Sequence, residues 1–355
     1  MLAKFKILIF VLPLIAALCL LRAIGLTQAT PRGSICDAAT NADLHQVALL
    51  LGNGDGIDGT DAFGRTPLTA SIGHPEIARY LLDRGANPNL PDAQNELPLE
   101  LAVSRSDLDS IGLLIARGAR LNARTSLGDT SLMLAVDGGF DASAIELLKH
   151  GANPNVINVV GATPLHYAAG RGNLELMAAL IKAGARFSVK SWIGVTPLER
   201  AVLNGQVKAV ELLWKSGARP ESKEYSLMHY AAIIGALPTQ LKLIIEPHTD
   251  RRFNESIMNQ TRQAYASSVV KQEELSAGMV DRLCALGLDI EVRDRHGRTP
   301  LHLAAMADSS PAVRALIRAG ADRAAKDENG QTPLDLARIH SASEAAAVLE
   351  TRFKP

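Results

Sequence analysis

Thr163-Pro164-Leu165 recurs as Thr196-Pro197-Leu198, and the same triplet stands at Thr66, Thr299 and Thr332. Degenerate copies lie at Leu97-Pro98-Leu99, Thr130-Ser131-Leu132 and Tyr225-Ser226-Leu227. From Pro98 through Ser131 and Pro164 to Pro197 each step is 33 residues, as is the step from Pro300 to Pro333. A second marker keeps the same beat: Gly85-Ala86, Gly118-Ala119, Gly151-Ala152, Gly184-Ala185 and Gly217-Ala218, then Gly287 and Gly320. Two markers locked in phase at one period point to a stack in which each unit packs only on its neighbours.

The residues between the markers read as a pair of helices. Thr before Pro starts a helix, because the hydroxyl caps an orphan amide and Pro at the first helical position loses no bond. A short helix over 165–171 follows, then a turn at Gly172-Asn173. A second helix over 174–183 sets Leu176, Ala179 and Leu180 at helical spacing. Gly184 ends it in the left-handed conformation that C-caps require. The stretch to the next Thr-Pro is extended and rich in turn residues.

Thr163-Pro164-Leu165-His166-Tyr167-Ala168-Ala169 and Thr299-Pro300-Leu301-His302-Leu303-Ala304-Ala305 resemble the ankyrin signature, at the ankyrin period. The resemblance covers roughly residues 35–349 apart from one insertion. It implies an all-α repeat solenoid of about nine helix-turn-helix units, with β-hairpin fingers projecting at a right angle beside a concave face. His166, His229 and His302 occupy one slot in successive layers, where ankyrin repeats carry a hydrogen-bonding histidine and not a metal ligand. The expected organisation is a capping repeat over 35–63, repeats over 64–246, an insertion over 247–278, and repeats with a C-terminal cap over 279–355. The unit beginning at Thr66 lacks two residues between its helices. From Ser226 to Gly287 the chain takes 61 residues where other units take 20, an excess of 41. The excess is read as an insertion with partial helical content, with a further degenerate unit as the alternative.

The first 30 residues stand apart and are expected to include an N-terminal hydrophobic helix. Lys4 and Lys6 precede an uncharged apolar run of fifteen residues, Ile7 to Leu21, which Arg22 closes. That is shorter than the roughly 20 residues that span hydrocarbon and fits a secretory signal, while Ile24 to Leu26 extend it toward an anchor. Cleaved signal and retained signal-anchor both stay open. Either places the repeats outside the cytoplasm, in the periplasm or held to the inner membrane by residues 7–26. Cys36 and Cys284 lie too many layers apart to form a disulfide.

Lys+Arg and Asp+Glu both number 37 among 355 residues, so no basic surplus exists to neutralise nucleic-acid phosphates. The string Gly54-Asp55-Gly56-Ile57-Asp58-Gly59 satisfies G-x-G-x-x-G, yet a helix precedes it where the dinucleotide motif needs a strand. Asn53, Asp55, Asp58 and Asp61 cluster as oxygen donors, but Ile57 occupies a ligand position of a calcium loop. No nucleophile elbow, H-E-x-x-H pair or Cys-x-x-Cys pair occurs, so neither catalysis nor a cofactor is expected. A monomer that binds a protein partner is the reading, with a regulatory or enzymatic subunit using residues 247–275 as the alternative.

The candidate contact residues are those the fold does not dictate. Apolar groups at finger tips, Trp192 and Ile193, Ile157, Val159 and Val160, with Arg124 and Leu127, suit an interface anchor. Tyr167, Arg171, Arg200 and Asn204 on first helices face the concavity. Arg293, Arg295 and His296 form a basic finger suited to an acidic partner.

Overall fold

The computed structural model describes residues 33–192, 194–220, 226–234 and 269–351. Its helices fall into two compact units divided between Arg120 and Leu121, a break that the 33-residue beat does not announce. The apolar run of residues 7–21 lies outside the described residues, and among those described no helix is long and apolar enough to cross a membrane.

In the first unit, α1 (Ile35–Thr40) and α2 (Leu44–Gly52) are followed by α3 (Pro67–Ala70) and α4 (Pro75–Asp83), then α5 (Pro98–Ser104) and α6 (Leu108–Ala116). First helices pack on first helices and second on second: α1 on α3 on α5, and α2 on α4 on α6. The four-residue α3 is where two residues are missing from the period. Cys36, buried in α1, donates its thiol to the Arg65 carbonyl at 3.2 Å, and burial pushes its pKa up to about 11. Cys36 and Cys284 are both free thiols.

The second unit begins with α7 (Ser131–Gly138) and α8 (Asp141–Lys149), α9 (Pro164–Arg171) and α10 (Leu174–Lys182), α11 (Pro197–Leu203) and α12 (Val207–Lys215). It continues with α13 (Leu227–Ala232), α14 (Val269–Ala285), α15 (Pro300–Met306), α16 (Ser310–Arg318), α17 (Pro333–Ile339) and α18 (Ser343–Glu350). The odd-numbered helices form one layer and the even-numbered the other, each packed on the next of its kind. Leu165, Ala168, Leu176, Met177 and Leu180 are buried between the layers, as are Leu198, Ala201, Val210 and Leu213 one unit on. Alanine in the first helices lets the layers approach, and each buried Leu contributes about 1.5–3 kcal/mol.

The histidine slot ties units together. The Thr163 backbone N–H donates to His166 Nδ1 at 3.0 Å, so Nδ1 is the unprotonated nitrogen and Nε2–H donates to the Val195 carbonyl at 3.1 Å. His302 bonds in the same way to Thr299 and to the Gln331 carbonyl. His229 takes the N–H of Ser226 and reaches the carbonyl of Arg298, a span of 69 residues where His166 and His302 each span 29. The stack therefore closes across the inserted chain.

The same bond corrects the register of the insertion. Ser226 accepts the His229 N–H through its side chain, so it occupies the capping Thr position and not the Pro position that follows. The excess is consequently 40 residues, 69 against 29, one fewer than the sequence markers suggest. In this register Met279, Val280 and Leu283 fill the slots that Ala209, Val210 and Leu213 fill one unit earlier, and all six are buried. The helix reaches back past Met279 to Val269, with Leu275 against Gly205 and Arg282 paired with Glu211 at 2.9 Å. Removing residues 236–275, which joins Gly235 to Ser276, is thus expected to leave a unit of ordinary length. Circular dichroism should show a helical chain with one cooperative transition; loss of that transition would show that the inserted chain is part of the core.

Candidate functional site

The fingers are the segments between one second helix and the next first helix. Three adjacent ones in the second unit close in the same way: Thr125 N–H to the Asp129 carbonyl, Asn158 to Ala162, and Ser191 to Val195, at 2.9–3.1 Å. One backbone bond joins each to the next, Val159 N–H to the Leu127 carbonyl and Trp192 N–H to the Val160 carbonyl, both 3.0 Å. Single bonds between turns fall short of a ladder. The β-hairpins expected from the resemblance are accordingly tight turns, and the described residues contain no strand.

Glycine allows the fingers this proximity. Gly161 has φ +71°, and a Cβ there would lie 3.0 Å from the Trp192 nitrogen and 3.1 Å from the Ser191 Cα. Asn158 braces the middle finger: Oδ1 accepts the N–H groups of Val160 and Ala162, while Nδ2 donates to Asp129 at 2.7 Å and to the Tyr167 hydroxyl at 2.8 Å. Nothing in the sequence reading singled out Asn158, although Asn at a turn start followed three residues later by Gly was a usable signal.

Held this way, the tips present apolar groups to solvent. Leu127 is 61% exposed, Ile157 48%, Val159 41% and Trp192 63%. Val160 is half-buried, and Ile193 lies outside the described residues. Arg124 is tied to the row, its guanidinium donating to the Ile157 carbonyl. The tip slot before the finger glycine also explains Phe63 in the first unit, 71% exposed before Gly64, with the Arg65 guanidinium 5.4 Å from its ring centroid. Aligning Phe63-Gly64 with Leu127-Gly128 would have found it.

Beside the row lies the exposed face of the first helices. Tyr167 joins it to the finger base through Asn158, and burial, then the charge of Asp129, raises its pKa. Arg171 donates to the Asp137 carbonyl and Asn204 to the Gly170 carbonyl, the latter at 3.0 Å, so both also pin neighbouring first helices. Arg200 is solvent-exposed, with its stem crowded against Gly170. Partial desolvation by its neighbours pulls its pKa below the usual guanidinium value, against the opposing influence of Tyr167 and Asp137.

The basic finger is a separate feature. Arg293 donates to the carbonyls of Gly297 and Lys326, both at 2.7 Å, and Arg295 contacts His296 at 3.2 Å. The His296 carbonyl in turn accepts the Glu328 N–H, so these groups brace the finger pair 294–298 and 327–331. The acidic cluster near Gly54 is likewise engaged within the fold. Asp58 accepts the Asn87 N–H, and Asp61 accepts from Phe63 and Arg65 while pairing with the Arg65 guanidinium. Among the described residues no three His, Cys, Asp or Glu side chains gather where they could hold a metal.

A family model of ankyrin repeats in three copies matches residues 35–125 and 132–224, and a model of ankyrin repeats in many copies matches 277–337. The chain belongs to the ankyrin-repeat family. One 76-residue stretch is 36% identical to the ankyrin repeat, SAM and basic leucine zipper domain-containing protein 1 of Carollia perspicillata. That stretch covers 21% of this chain and 16% of the relative, so the likeness is to ankyrin repeats and not to the whole protein. Ankyrin repeats indicate a protein-interaction scaffold.

Proposed function

We propose that this chain is an exported or membrane-anchored ankyrin scaffold of nine stacked units that docks a protein partner on the finger row 125–195 and the adjoining first-helix face. One observation carries the reading: Leu127, Ile157, Val159 and Trp192 lie on three fingers bonded edge to edge, and all are exposed. Tips of solvated turns are ordinarily polar, and a Trp with aliphatic groups on the neighbouring tips is the composition of an interface centre. The balanced charge supports a protein over a nucleic acid as the partner. Export rests on Lys4 and Lys6 followed by the apolar run to Leu21. N-terminal sequencing of the mature chain decides between cleavage and retention.

Crosslinked pull-down from the native cell, followed by mass spectrometry, tests the docking surface. Leu127→Ala combined with Trp192→Ala is expected to abolish capture of the partner while shifting stability by less than about 1 kcal/mol, since both side chains are exposed. Undiminished capture by the double variant would remove the row from the account.

A further inference from the structure

The polar side chains beside the finger row are not equivalent. Arg124, Arg171 and Asn204 each donate to a carbonyl, of Ile157, Asp137 and Gly170 respectively. Arg200 alone of this group makes neither a hydrogen bond nor an ion pair with any described residue, and its nearest charged influences, Tyr167 and Asp137, do not reach bonding distance. It is nevertheless held in place. Arg200 lies across Gly170, where a Cβ would stand 3.3 Å from its Nε and 3.4 Å from its Cγ, with Asn204 Nδ2 on the same glycine at 3.4 Å. Tyr167, whose charge influences Arg200, accepts a hydrogen bond from Asn158 at the base of the middle finger, which links the first-helix face carrying the guanidinium to that finger.

A partly desolvated guanidinium with open donors favours a planar carboxylate over water, because the fork of N–H groups matches both oxygens and the crowded setting strengthens the pair. We propose that the docked segment presents a carboxylate flanked by apolar side chains, the apolar groups seated on Leu127, Ile157, Val159 and Trp192 and the carboxylate on Arg200. This rests on the docking reading above and adds the chemistry of the partner. The carboxylate comes from an Asp or Glu side chain or from a free chain terminus.

Panning the full-length chain against random 12-residue peptides, displayed in one library with a free C-terminus and in another with a blocked one, separates those sources. Binders are then resynthesised, and affinities for wild type, Arg200→Gln and the Leu127→Ala/Trp192→Ala variant are measured by calorimetry, with circular dichroism confirming that each variant is folded. The expected binders carry an acidic group among apolar residues. Changing that group to its amide weakens binding to wild type about tenfold or more, Arg200→Gln weakens the acidic peptide equally, and the two losses do not add. Binders without acidic groups, additive losses, or a library that yields no binder overturn the assignment. If the finger variant loses the peptides while the charge cycle shows no coupling, only the carboxylate is lost and docking stands. Binding unaffected by the finger variant removes the docking reading itself.

Discussion

Acidification from pH 8 to pH 5 is expected to cost the array about 2 kcal/mol through His166 alone, with further losses from His229 and His302. Burial, partly offset by the bond to the Val195 carbonyl, pushes the His166 pKa from 6.5 down to about 4. The fold therefore binds this proton less readily than the unfolded chain does. The stability held by the neutral ring is whole above pH 6.5 and is lost progressively as the pH falls toward 4, amounting to about 3 kcal/mol below both values. The Thr163 N–H also points at Nδ1, the atom that would have to take the proton. Burial lowers the pKa of His229 and His302 as well, each with the same amide donor at Nδ1. Melting temperature recorded from pH 8 to pH 5 for wild type and His166→Gln checks this. The variant is expected to start lower at pH 8 and to fall less steeply, whereas parallel curves would show that His166 does not titrate with unfolding.

Truncating Leu165 in α9 to Ala is expected to destabilise the second unit by about 3 kcal/mol, within the 2–5 kcal/mol usual for buried leucine. Leu165 is fully buried, and its neighbours in the layer, Ala168 and Ala169, are too small to collapse into the space it leaves. Since each helix pair touches only the pairs beside it, the damage should be felt mainly where α9 meets α7 and α11. Urea unfolding measures the loss. A change below about 1 kcal/mol would mean that the layer repacks, contrary to the tight apposition seen here.

The periodic elements were the ones most readable from residues alone. Thr or Ser before most first helices predicts a cap, and at Thr66, Thr130, Thr196, Ser226 and Thr332 the side chain accepts a backbone amide, whereas at Thr163 and Thr299 the hydroxyl meets the histidine Nδ1 instead. The structural role of the three histidines was equally legible, because the ankyrin resemblance implies a hydrogen-bonding histidine in that slot and His166, His229 and His302 all occupy it. Register at Tyr225-Ser226-Leu227 was misplaced by one because Pro is absent there and a triplet match cannot tell which residue supplies the hydroxyl. The fingers were expected as hairpins on the strength of the resemblance alone; with five residues per turn and one bond between neighbours, they stop short of strands.

The candidate contact residues stood out as unusual tip composition, but their grouping was not visible. Sequence spacing places Leu127 and Val160 one 33-residue period apart, and Val159 and Trp192 likewise, yet it does not say that adjacent tips bond to each other and expose apolar groups together. Nor does it distinguish Arg200 from Arg171 or Arg293, which differ only in whether a carbonyl of the fold already occupies the guanidinium.

Hydrogen–deuterium exchange on the chain with and without its captured partner addresses the docking row most directly. Bound partner should slow exchange at the backbone amides of residues 125–129, 158–162 and 191–195 and along the adjoining faces of α9 and α11, leaving the finger pair at 294–298 and 327–331 unchanged. Protection confined to that second finger pair, or to the inserted chain, with the row at 125–195 exchanging as freely as before, would contradict it.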